Sequence, residues 1–140
     1  PKPLPMAVPN SFAAIVSQLG AELTIAHPPE FPLEPKVLEA LPRRPRIVHD
    51  KAAGLEGAEV VYAKSWGGAA YYGRWEEEKK VREGYRGWIC DRVPPGAVFL
   101  HCLPVRRNVE VADAVLDAST VYDEAENRLH VQKAILAEFV

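Results

Sequence analysis

The sequence holds only two cysteines and one methionine in 140 residues. Cys90 and Cys102 form no CxxC pair, which excludes a disulfide framework and makes a reducing cytoplasm the expected compartment. Without CxxC or HxxxH spacing the sequence offers no zinc-type cluster. Neither sign of charge is in excess. A formal net charge of −2 gives nucleic acid and anionic membranes nothing to attract. No apolar run approaches the roughly 20 residues that cross a bilayer. The opening Pro1-Lys2-Pro3-Leu4-Pro5 lacks the charged-then-apolar order of a secretion signal. No GxGxxG follows any strand-like segment, which weakens a nucleotide-binding reading, and no internal repeat is evident. An initiator methionine is also missing.

What is present suits one domain of ordinary size. Hydrophobic residues make up 48% of the chain, enough to build a core. After Pro9, the residues Phe12, Ala13, Ile15, Val16 and Leu19 recur at helical spacing, with Asn10 or Ser11 as N-cap and Gly20 as the stop. Strands are expected at Glu22–Ala26, Arg46–His49, Glu59–Ala63, Ala97–Leu100 and Thr120–Tyr122, the third of them buried on both faces. Between them come a proline-rich loop at 28–35 and helices at Lys36–Leu41, Lys51–Glu56 (capped by Asp50), Trp75–Gly87 and Val109–Leu116. The glutamate- and lysine-rich helix at 75–87 is expected to be exposed. A last helix, from about Asp123 to Phe139, should bury Leu129, Ala134, Ile135 and Leu136. The alternation predicts an α/β fold, a doubly wound and mainly parallel sheet with helices on both faces. The loop from Lys64 to Arg74 is long for a compact domain, and loops of that length are usually functional or mobile.

The most informative stretch is Phe99-Leu100-His101-Cys102-Leu103-Pro104-Val105-Arg106-Arg107-Asn108. It reads as a buried strand that leaves the sheet in a constrained turn and then presents two forked cations. Ligands of open α/β sheets bind beyond the carboxyl ends of strands, and guanidinium groups suit carboxylates. Arg106, nearer the turn, is the choice for the substrate side. Glu110 lies four residues on, at the spacing of an ion pair across one helical turn. Cys102 has no base aimed at its thiol, because His101 beside it points to the opposite face of an extended strand. It is therefore read as lining a pocket, with its carbonyl as the working atom. His101 is kept only as a polar contact. A second cluster follows, Asp123-Glu124-Ala125-Glu126-Asn127-Arg128-Leu129-His130.

His-Cys-Leu-Pro followed at this separation by Glu-Asn-Arg resembles the carboxyl-terminal half of the transcarbamoylases, and the likeness extends over essentially the whole chain. The resemblance implies a cis Leu103-Pro104 bond that turns the Cys102 and Leu103 carbonyls toward the substrate amide. It also implies contact of Arg128 with carbamoyl phosphate, where a cation stabilises the oxyanion of the tetrahedral intermediate. The transfer chemistry it implies needs neither metal nor organic cofactor. On this reading Arg128 lies in the first turn of the last helix, whose free N–H groups favour anions. Residues 1–140 are then an ornithine-type substrate-binding domain. The carbamoyl-phosphate domain, with its Ser-x-Arg-Thr motif, is expected upstream, and domain closure in a homotrimer would complete the site.

Tyr62-Ala63-Lys64-Ser65-Trp66-Gly67-Gly68 bears on which amine is used. Plain ornithine enzymes resemble Asp-x-Trp-x-Ser-Met-Gly here, the aspartate meeting the free α-ammonium. In this chain Val61 takes the aspartate's place, Lys64 is added and Trp66 replaces methionine. An acylated α-nitrogen is uncharged and leaves no use for a buried acid. With Pro9-Asn10-Ser11, where Asn10 would lie near the amino acid, the pattern resembles the N-acetylornithine carbamoyltransferases. N-succinylornithine and ornithine enzymes are the alternatives within the family. Similar relatives carry lysine where this chain has Glu110. A non-catalytic amino-acid-binding module is the reading of another class.

Overall fold

The computed structural model describes residues 6–64 and 67–140. These fall into two compact units, one of residues 6–56 and 67–88, the other of Gly57–Lys64 with Ile89–Val140. Each has its own pair of parallel strands.

In the first unit, α1 (Ala7–Gln18) buries Ala13 and Ser17, and the chain turns away at Gly20 with φ +77°. The helix begins earlier than its sequence suggests. Pro9 sits in its first turn, where backbone N–H groups have no intrahelical partner and proline is tolerated. The N-cap position therefore falls to Met6, which makes no side-chain cap, and Asn10 is a helical residue whose N–H bonds Met6 O at 3.0 Å. Neither Asn10 nor Ser11 is a cap. Ser17 Oγ accepts from Arg43 N at 3.0 Å, which satisfies its buried hydroxyl.

Strand β1 (Thr24–Ala26) pairs in parallel with β2 (Arg46–Val48), Ile25 opposite Ile47. Helix α2 (Pro35–Ala40) lies between them in sequence, opened by a proline at the position where its missing N–H costs nothing. Ala13, Leu33 and Leu41 form the core, with Leu23, Ile25 and Val37 against it. Asp50 caps α3 (Lys51–Leu55) by accepting from Ala53 N at 2.7 Å. A Cβ at Gly54 would come within 2.6 Å of Ala26 Cβ, so glycine there allows α3 to close on β1. A 3₁₀ turn, Ala69–Tyr71, precedes α4 (Trp75–Glu83). Helix α4 is not wholly exposed as expected, because Glu78 on it is fully buried.

In the second unit, β3 (Val60–Tyr62) pairs in parallel with β4 (Val98–Leu100), Val61 opposite Phe99. The core is Phe99, Val111, Leu116 and Val121, with Val61, Ala63 and Leu103 packed on it. Strand β3 is not buried on both faces. Val60 is 53% exposed, since within this unit β3 has only one paired neighbour and one apolar face to pack. The helix expected at Val109–Leu116 shrinks to α5 (Asp113–Asp117). Asn108, at φ +58°, forms a turn instead, and its Oδ1 accepts from Asp113 N at 3.1 Å, setting a later helix start.

The expected fifth strand is absent. Thr120 is the N-cap residue of α6 (Val121–Ala137), and Val121 buries itself on the core as the first helical residue. Asp123 and Glu124 in the first turn suit the helix dipole, and core packing overrides the β-propensity of a three-residue segment. Farther along α6, Leu129 is 58%, Ile135 53% and Leu136 64% exposed. The side expected to be buried meets no packed element among the described residues. No helix among the described residues is long and apolar enough to cross a membrane.

Candidate functional site

Beyond the end of β4 the backbone is held by one side chain from α6 and one from the turn itself. The His101 N–H donates to Glu124 Oε2 at 2.8 Å, tying the strand end to the first turn of α6. The Leu103 N–H donates to His101 Nδ1 at 3.0 Å, so the neutral ring carries its proton on Nε2. Leu103-Pro104 is cis, as the resemblance implied. Cys102 is a half-buried free thiol. Neither ring nitrogen of His101 pairs with it, since Nδ1 is engaged and Nε2 lies 3.8 Å from Glu110 Oε2. An activated Cys–His couple is thus missing. The thiol's neighbour is Tyr62. Burial and the bond to Cys102 push that phenol well above its ordinary value.

His101 is completely buried and its Nε2 has no hydrogen-bond partner. Burial lowers its pKa, Glu110 opposes that shift, and the Lys64 ammonium reinforces it. Lys64 itself is half-buried and is placed where its charge reaches this ring.

Arg106 and Glu110 do pair, but not across a helical turn. The segment is a tight turn with Glu110 N donating to Arg106 O at 3.0 Å. Glu110 Oε1 accepts from Arg106 Nε at 3.0 Å and Nη2 at 2.5 Å, while Oε2 accepts from Arg106 N at 3.0 Å. Burial alone would raise the Glu110 pKa, but the backbone bond and guanidinium of Arg106 outweigh it and hold the carboxyl below its ordinary range. The side-on edge of the guanidinium is occupied, and its end-on pair, Nη1 with the second N–H of Nη2, makes no hydrogen bond with the described residues. That edge suits a ligand carboxylate. Arg107 differs. Asp113 Oδ1 at 2.8 Å and Asp117 Oδ1 at 2.6 Å occupy both its terminal nitrogens on the surface.

The second unit therefore brings together Lys64, Cys102, Leu103, Arg106 and Glu110. Arg128 belongs to it as well but stands apart. It is exposed, seven residues past Val121, about two turns into α6 rather than in its first turn. Backbone N–H groups at that depth are used within the helix, so only the side chain offers positive charge. Asn10 belongs to the first unit, where its Oδ1 is buried and unpartnered. Trp66 lies outside the described residues. Sequence reasoning missed Glu124, Tyr62 and the buried side of His101. An acid in the first turn of the last helix was visible as a signal for Glu124. Tyr62 opens the Tyr-Ala-Lys-Ser-Trp motif, and sequence alone marks His101 only as a polar contact.

Comparison with known proteins gives the same assignment over the whole chain. The family model "Aspartate/ornithine carbamoyltransferase, Asp/Orn binding domain" matches residues 6–139. The N-acetylornithine carbamoyltransferase of Xanthomonas campestris pv. campestris is 42% identical over 100% of this chain and 45% of its own length. The N-succinylornithine carbamoyltransferase of Bacteroides fragilis is 41% identical over 91% of this chain and 40% of its own. A crystal structure of a mutant N-acetyl-L-ornithine transcarbamylase, complexed with carbamyl phosphate and N-succinyl-L-norvaline, superposes with a TM-score of 0.91 at 42% identity. That match covers 100% of this chain and 46% of the other, so the chain spans about half the length of the relatives it matches. At that likeness the fold is the same α/β, doubly wound one. With its parallel strands and the occupied turn beyond β4, the chain belongs to the aspartate/ornithine carbamoyltransferases, in their Asp/Orn binding domain.

Proposed function

We propose that this chain is the carboxyl-terminal, amino-acid-binding domain of an enzyme that moves a carbamoyl group from carbamoyl phosphate to N-acetyl-L-ornithine. The δ-amine, once neutral, forms a bond to the carbamoyl carbon. The bond from that carbon to the phosphate oxygen breaks, the nitrogen gives up a proton, and N-acetylcitrulline and phosphate result, a step of arginine biosynthesis. Catalysis comes from holding both substrates together and from stabilising charge. The Cys102 and Leu103 carbonyls accept from the carbamoyl amide, Arg128 meets the developing oxyanion, and Arg106 takes the amino acid's carboxylate with Glu110 holding it. Lys64 takes the acyl group, while roles for Asn10 and Trp66 toward the amino acid rest on the family resemblance alone. No cofactor enters the reaction, and the whole enzyme is a cytoplasmic homotrimer in this reading.

The observation that carries the reading is Arg106, clamped along one edge by a buried acid with its carboxylate-binding edge left over, just beyond the carboxyl end of β4. The acyl preference rests on Val61, which packs apolar against the Phe99 core where an ornithine enzyme would need an acid. A free α-ammonium entering there would lose water and gain no counter-charge, and rejection by an unmatched polar group exceeds the roughly 1–3 kcal/mol of one methylene. The test is citrulline formation by the whole protein with N-acetylornithine, N-succinylornithine and ornithine. N-acetylornithine is expected to have the highest kcat/KM, and Lys64→Ala to raise its KM more than that of carbamoyl phosphate. A preference for N-succinylornithine is the second reading, favoured by the similar identity to the Bacteroides enzyme. Preference for free ornithine would refute the roles of Val61 and Lys64.

A further inference from the structure

Strand β4 pairs along one edge with β3. Val98 N donates to Glu59 O at 2.9 Å and Ala63 N to Leu100 O at 3.1 Å, so the backbone groups of residues 98 and 100 face β3. Alternate residues of a strand turn these groups to opposite edges. Those of Phe99 and His101 therefore face the other edge, where the described residues of this unit place no strand. Helix α6 takes that place with two side chains from its start. Thr120 Oγ1 donates to Phe99 O at 3.5 Å, and Glu124 Oε2 accepts from the His101 N–H at 2.8 Å, as a neighbouring strand would do with backbone groups. Between them Val121 buries itself on the Phe99 core. Glu124 is half-buried, whereas Asp123 beside it is exposed.

What Glu124 holds is a closed loop. The Leu103 N–H donates to His101 O at 2.8 Å and to His101 Nδ1 at 3.0 Å. Leu103 stands at φ +42°, a left-handed conformation that leucine seldom adopts, so its surroundings must impose it. Bonds within residues 101–103 fix the shape of the loop but not where it lies. Its place is set at His101, the first residue beyond the pairing with β3, and there the amide is tied to Glu124. The far side of the turn has an anchor of its own, since Glu110 holds both the Arg106 N–H and its guanidinium.

We propose that Glu124 is a positioning residue for carbamoyl transfer, holding through the His101 amide the Cys102 and Leu103 carbonyls where they accept from the carbamoyl amide. This rests on the carbamoyltransferase reading above. Its effect belongs to the carbamoyl side, because Arg106 keeps its separate hold on Glu110.

Two variants of the whole enzyme separate position from charge. Glu124→Gln keeps an acceptor at the same reach and removes the charge, while Glu124→Asp keeps the charge and withdraws it by one carbon. Glu124→Asp is expected to lower kcat/KM for carbamoyl phosphate about tenfold, a modest share of the ~10²-fold that a 1 Å misplacement can cost. Glu124→Gln should stay within about threefold of wild type, since a neutral oxygen still accepts from the amide. KM for N-acetylornithine should change by no more than about twofold in either. Hydrogen exchange at the His101 amide gives a readout independent of turnover, slow in wild type and Glu124→Gln and faster in Glu124→Asp. Full activity of Glu124→Asp, an equal loss in Glu124→Gln, or a loss confined to KM for the amine would overturn the proposal. Should Glu124→Asp not fold, slow exchange at His101 with activity kept by Glu124→Gln supports it, and fast exchange in wild type overturns it. Absence of turnover by wild type with every amine would instead sink the carbamoyltransferase reading, while exchange at His101 still decides whether Glu124 holds the loop.

Discussion

Arg106 and Arg107 are adjacent and chemically identical, and they are separated by the acids they meet. Arg107 spans two exposed aspartates of α5, an arrangement that screening by water leaves of little energetic weight. Arg106 meets Glu110, whose side chain is only 6% exposed, along one edge of its guanidinium. The same acid stands 3.8 Å from His101, a ring that burial keeps neutral. This makes a testable pH dependence. In the unfolded chain His101 takes up a proton near its ordinary value of 6.5, whereas the folded ring resists until lower pH. Its contribution to stability is therefore whole above about 6.5 and is lost as pH falls through the lowered folded value. His101→Asn, which keeps an acceptor for the Leu103 N–H, should lose less stability between about pH 7 and about pH 5 than wild type does. Urea unfolding midpoints measure this, and parallel slopes for the two proteins would show that His101 does not titrate as described.

At the scale of elements, α6 differs most from its sequence reading. Its start at Val121 moves Arg128 away from the helix N-terminus and removes any help from free N–H groups. If Arg128 stabilises the oxyanion, it does so with its guanidinium alone. Arg128→Ala in the whole enzyme should then lower kcat by about 10²-fold or more. A change confined to KM for the amine would place Arg128 on the amino-acid side instead. The first turn of α6 has a different task, since Glu124 anchors the His101 amide and with it the end of β4. That bond ties the first turn of α6, which begins two residues earlier than the sequence suggests, to the His-Cys-Leu-Pro turn, while Arg128 stands apart.

At the scale of the whole molecule, the two units each pair only two strands, and several apolar side chains, among them Val60, Leu129 and Leu136, stand in water. The 140 residues span about 45% of the length of the Xanthomonas relative. Carbamoyl transfer needs two substrates held at once, and the described residues that gather beyond β4 suit the amino acid and the carbamoyl amide rather than a phosphate cradle. A protein made of these residues alone is therefore expected to show no carbamoyl transfer with any of the three amines. Turnover by it, measured as citrulline formation, would refute the division of labour proposed between this domain and the remainder of the enzyme.

The sequence by itself determined the class of fold, the family and the chemistry available beyond β4. These depend on local order: alternating strand and helix periods, a proline after a strand, two arginines after that proline, an acid four residues further on. It also showed that no acid stands at Val61. Tertiary structure alone decided that a buried acid meets Arg106 while two surface aspartates take Arg107, that Glu78 is buried, that Asn10 is a helical residue with an unpartnered oxygen rather than a cap, and that Thr120–Tyr122 enters a helix. The physical reason is the same in each case. Capping and periodicity act within a few residues, but burial and choice of hydrogen-bond partner depend on what a distant segment brings alongside: Gly68 to Glu78, Glu124 to His101, and the Phe99 core to Val121.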